Sequence, residues 1–65
     1  MTEGLTEKES AIVRAVAEGK TSAEIAQTLC LSTETIKWYR KRLLHRYDAK
    51  NFTSLYIMLR SQGLI

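Results

Sequence analysis

Apolar residues recur along this chain at helical spacing, in four blocks separated by short polar punctuation. Thr6-Glu7-Lys8-Glu9 fits a capping box, with Thr6 as N-cap and Glu9 reaching back. The helix it opens turns Ile12, Val13 and Val16 inward, and Ala11, Ala15 and Ala17 support helicity. Leu5 is placed to staple onto that helix, Met1 to Leu5 is otherwise expected to fray, and Gly19 fits the residue after the helix end. Thr21-Ser22-Ala23-Glu24 repeats the capping signature for a shorter helix with Ile25, Ala26 and Leu29 on its buried side. Cys30-Leu31-Ser32 then turns the chain, and Cys30 is expected to be a small, partly buried filler.

Ser32 caps the third block, STETIKWYRKRLLHR, which has two unlike faces. At ~100° per residue, Ile36, Leu43 and Tyr47 fall within about 40° of one line, a stripe that requires a core. Glu34, Lys37, Trp38, Lys41, Arg42 and His45 lie on the far side. Ala26 is small enough for two helices to cross closely, with Leu29, Leu31 and Ile36 filling the crossing. Small residue, short turn and branched apolar residue together describe a helix-turn-helix. The pattern breaks at Tyr47-Asp48-Ala49-Lys50 without proline or glycine, and Asn51 caps a last helix that stops near Gly63. No strand-like alternation and no repeat occurs. The predicted fold is all-α, a single domain over 1–65 with helices at about 6–18, 21–29, 33–46 and 52–62.

The fourth helix is apolar around nearly its whole circumference. Phe52, Leu55 and Leu59 share one stripe, so Tyr56 and Ile57 point elsewhere. That patch either helps bury a very small protein or forms a self-association face.

Charge sharpens the picture of the third helix. The chain carries a net +3, but residues 1–36 are net acidic and residues 37–50 hold Lys37, Arg40, Lys41, Arg42, Arg46 and Lys50 against only Asp48. Such a segregated basic stretch is an electrostatic footprint for polyanions, or else a solvated helix face. A helix that buries one side and offers positive charge and long donors on the other suits the DNA major groove.

Other chemistry finds little support. One His, one Cys and no inward acidic cluster leave no nucleophile–base pair, so no enzyme is expected. A lone cysteine forms no internal bridge and has no companions for a metal site, and no cofactor is expected. Nothing is long and apolar enough to cross a membrane and no signal pattern precedes Leu5, so a cytoplasmic location is expected.

The order LTEKE, EGKTSAEIAQTL, LSTETIK, a basic helix and a closing Gly63-Leu64-Ile65 resembles the LuxR-type (GerE-like) DNA-binding domain found at the C-terminus of response regulators and related transcription factors. The resemblance covers Leu5 to Ile65. It is carried most specifically by Glu9, Gly19, Glu24-Ile25-Ala26, Leu29, Ser32 and Thr35-Ile36-Lys37. It implies four helices, the third in the major groove and the fourth pairing two subunits on DNA. The family commonly has histidine where this chain has Tyr39, whose hydroxyl can still donate to phosphate. Tyr47 stands where leucine is frequent and asks for a larger pocket. Trp38 is unusually large for its position; it either presses on thymine methyls and sugar edges or packs back on the protein.

The expected contacts follow. Lys37 and Lys41, one turn apart, donate to guanine or meet phosphate, and Glu34 accepts from a cytosine amine. Thr33 and Thr35 in the first turn of the third helix, and Thr21 and Ser22 at the second, suit phosphate or serve as caps. Tyr39, Arg40 and Lys50 are phosphate candidates, Arg40 also able to lie over the core edge by its stem. Arg42 serves either groove or solvent, and His45 a surface or capping role. The partners expected are double-stranded DNA, a second copy of the chain through Tyr56 and Ile57, and RNA polymerase. A protein-interaction module resembling sigma-factor region four, binding an acidic protein, is the alternative.

Overall fold

The computed structural model describes residues 5–65, so the expectation of fraying at 1–4 falls outside it. Four helices follow in order: α1 Glu7–Ala17, α2 Ser22–Leu29, α3 Thr33–Arg46 and α4 Phe52–Ser61. The predicted all-α architecture is the one observed, with every boundary within one residue of its expected place. Each helix starts on the expected N-cap (Thr6, Thr21, Ser32 and Asn51), whose side-chain oxygen accepts from the amide three residues on. Both capping boxes close, with Glu9 and Glu24 reaching back to the Thr6 and Thr21 amides.

All four helices also end alike. The residue at the exit has positive φ: Gly19 at 90°, Cys30 at 59°, Asp48 at 54° and Gly63 at 74°. The amide after it bonds back five residues, Lys20 to Ala15, Leu31 to Ala26, Ala49 to Leu44 and Leu64 to Leu59, at 2.8–3.1 Å. This is the Schellman closure, which satisfies carbonyls that a helix end would otherwise orphan. Two of the four positions lack glycine. Cys30 is therefore not the partly buried filler expected; it is exposed and occupies a left-handed position that turns α2 into α3. Asp48 performs the corresponding turn between α3 and α4, in the break that carries neither proline nor glycine.

The interior has two halves. Ile12, Ile25, Ala26 and Ile36 form one cluster, edged by Leu29, Leu31 and Tyr39, which is the crossing of α2 and α3 over α1. Val13, Leu43, Leu55 and Leu59 form the other, where α4 closes the domain. Leu5 packs against this second cluster, so the one described residue of the expected frayed segment is docked. The adjacent Ile12 and Val13 serve one half each, as do Ile36 and Leu43 two turns apart on α3. Both ends of α3 are thereby fixed against the body of the domain, which holds its other face outward.

Candidate nucleic-acid interface

The outward face of α3 is built by periodicity. Ile36 and Leu43 are fully buried, whereas Glu34, Lys37, Trp38, Lys41, Arg42 and His45 are all exposed. Lys37 and Lys41 make no ion pair among the described residues. Trp38 is 53% exposed, so it does not pack back into the core. It meets Tyr39 edge-on, with ring centroids 5.1 Å apart, and the Arg42 guanidinium lies 5.0 Å from its ring centroid. Tyr39 is half-buried against the first core cluster.

At the start of α3, Thr33 and Thr35 are half-buried. The Thr35 hydroxyl lies 2.8 Å from that of Ser32, which also accepts from the Thr35 amide. Ser32 is thus the cap of α3, and the Thr35 hydroxyl bonds to it. Thr21 likewise accepts from the Glu24 amide and caps α2. Their hydroxyls remain at helix N-termini, beside free N–H groups and the positive end of the dipole.

Arg40 draws three elements together. Its Nη1 donates to Ser22 Oγ at 2.9 Å, and its guanidinium lies 5.4 Å from the Phe52 ring centroid. The first residues of α2 and α4 therefore meet the middle of α3, with Lys50 exposed just ahead of α4. Two expected phosphate contacts, Arg40 and Ser22, are one hydrogen-bonded unit. The resulting surface runs from Thr21 and Ser22 across the exposed row of α3 toward Lys50 and carries Lys37, Arg40, Lys41, Arg42 and Lys50.

Other expectations change. Tyr56 does not share an exposed patch equally with Ile57. It is half-buried against the second core cluster, with Arg60 6.0 Å from its ring centroid, whereas Ile57 is 62% exposed. Arg46, counted in the sequence only as part of the basic run, turns from the outward row to pair with the buried Glu9 at 3.4 Å. No local signal pointed to that contact, because the partners are 37 residues apart. Tyr47 is half-buried against the second core cluster, and its buried hydroxyl has no partner among the described residues. Arg42 was detectable as a partner of Trp38 from its i, i+4 spacing alone. Among the described residues no helix is long and apolar enough to cross a membrane.

A family model described as bacterial regulatory proteins, luxR family, matches residues 3–59. The chain belongs to the LuxR family. It is 38% identical over 60 residues to the regulatory protein SdiA of Escherichia coli, covering 92% of this chain and 25% of that protein. It is 32% identical over 65 residues to a putative transcriptional regulator of Pseudomonas aeruginosa, covering 100% of this chain and 31% of the relative. Identity to the DNA-binding transcriptional activator EvgA of Escherichia coli is 28% over 54 residues, covering 83% of this chain and 26% of that protein. The chain thus spans between a quarter and a third of the length of these relatives. The matched residues include the Glu9 capping box and the whole of α3.

Proposed function

We propose that this LuxR-family domain binds double-stranded DNA sequence-specifically in the regulation of transcription, with α3 lying in the major groove. The observation that carries the reading is the division of α3. Ile36 and Leu43 anchor it, and every residue of its opposite row is exposed, with Lys37, Lys41 and Arg42 giving that row its charge. Lys37 and Lys41 approach guanine edges or flanking phosphates, and Glu34 approaches a cytosine amine. Thr21, Ser22, Thr33, Thr35, Tyr39, Arg40 and Lys50 contact the backbone around them. The name of EvgA, a DNA-binding transcriptional activator, supports the same assignment.

Two copies bind one site, paired through α4, with Ile57 at the centre of the contact and Tyr56 at its edge. RNA polymerase is the partner through which such a bound dimer acts. Fluorescence anisotropy of a labelled duplex tests the reading. Affinity should fall steeply between about 50 and 200 mM salt, as phosphate neutralisation requires. A domain whose weak binding ignores salt would not be using this face.

A further inference from the structure

The three arginines of α3 have different fates. Arg40 is bonded to Ser22 and lies over Phe52, and Arg46 is paired with Glu9. Arg42 makes no hydrogen bond or ion pair among the described residues, yet its guanidinium is held 5.0 Å from the Trp38 ring centroid. Helical side chains lean toward the N-terminus, so this contact carries the charge back one turn, to the level of Lys37 and Lys41. Trp38, Lys41, Arg42 and His45 together line a shallow concavity of about 280 Å³ on the outward face.

A guanidinium resting on an aromatic face loses little further freedom when it binds and keeps its N–H donors for another partner. Its planar fork matches the paired acceptors O6 and N7 of guanine, whereas a lysine ammonium is a point charge equally satisfied by phosphate. We propose that Arg42, braced by Trp38, is the guanine-reading side chain of this domain, with Trp38 as its positioning residue. The assignment rests on α3 entering the major groove. It gives the large Trp38 a role apart from touching bases and leaves Lys37 and Lys41 to the backbone.

The test is selection of preferred duplexes from a randomised pool, followed by affinity measurements on single-base variants of the selected site. Both side chains are exposed, so the variants should melt with the parent chain. The parent chain should fix at least one guanine. Arg42→Lys keeps the charge, and should reduce preference for that guanine by about tenfold or more while leaving the salt slope unchanged. Trp38→Ala should relax the same base, Trp38→Phe should recover much of the loss, and the double variant should lose no more than Arg42→Lys alone. A loss spread evenly over all sequences in Arg42→Ala, with Arg42→Lys behaving as the parent, would make Arg42 a phosphate contact and overturn the assignment. Unchanged selection in every variant would overturn it as well. A parent chain that binds no duplex would defeat the groove-docking reading itself.

Discussion

The Glu9 carboxylate faces the Arg46 guanidinium, each of its oxygens 3.4 Å from Nη1, while Oε1 also accepts from the Thr6 amide at 3.0 Å. One buried side chain therefore completes the capping box of α1 and ties the last turn of α3 to the first turn of α1. The signs suit both helix ends, an acid near the positive terminus of α1 and a base near the negative terminus of α3. Glu9 is the buried charged side chain of the described residues, and the half-exposed Arg46 keeps it neutralised.

Substitutions at Glu9 separate its two roles. Glu9→Ala removes cap and pair together and should destabilise the domain by about 2 kcal/mol, the pair being discounted for the solvent that reaches Arg46. Glu9→Gln keeps the reciprocal cap and should cost about 1 kcal/mol. Urea denaturation measures both: equal losses would mean that the reciprocal cap contributes nothing, and no loss in Glu9→Gln would mean that the ion pair contributes nothing.

The non-glycine helix ends make an opposite prediction. Cys30 holds φ at 59° on the surface, where an L side chain is strained and only glycine is at ease. Cys30→Gly should be stabilising by about 0.5 kcal/mol, the relief of strain being partly offset by a freer unfolded chain. Cys30→Val should destabilise by about 1 kcal/mol or more, since a β-branched residue tolerates that region least. Thermal melts that rank Val above Gly would contradict the Schellman closure at this turn.

Arg40 and Ser22 join a structural bridge to an expected phosphate contact. Arg40→Lys keeps a positive charge but cannot reproduce the planar donor set, so it should cost about 1 kcal/mol of stability. Ser22→Ala should cost a similar amount, and the double variant little more than either single one. Additive losses would show that the 2.9 Å bond contributes no coupling.

At the interface itself, Lys41→Ala should weaken duplex binding and reduce the salt slope by about one unit. Tyr39→Phe removes a hydroxyl but keeps the ring packed against the first core cluster, so it should cost no more than about 1 kcal/mol of binding. An unchanged affinity for Lys41→Ala would strike that residue from the surface.

Ile57→Lys isolates the proposed pairing face. The side chain is 62% exposed, so monomer stability should change by no more than about 0.5 kcal/mol. Sedimentation of the DNA complex should shift from two copies per duplex to one. Changing Tyr56 to a polar residue is the poorer probe, because its half-buried ring also supports the second core cluster.

What could be read in the chain, and what could not, divides by range. Caps and faces are local: Thr6, Thr21, Ser32 and Asn51 announce themselves within four residues, and the periodicity of Ile36 and Leu43 orients α3. Contacts set by tertiary juxtaposition have no such mark. Glu9 looks like a capping acid, and nothing near it indicates Arg46. Arg40 could be placed at the core edge by its stem, but not against Ser22. Tyr56 looked as free as its neighbour Ile57 because α4 is apolar on several sides, and only the packing of α4 on α1 and α3 distinguishes them. The positive φ at Cys30 and Asp48 was concealed for another reason. Glycine normally marks such positions, and here the closing hydrogen bond holds other residues in them.

The most direct test of the central claim is a backbone-amide NMR titration of the domain with a short generic duplex at low salt. Docking through α3 predicts shifts concentrated in residues 33–45, with weaker ones at Thr21, Ser22 and around Lys50. Shifts that are absent, or confined to α4, would mean that the basic row of α3 is only a solvated surface.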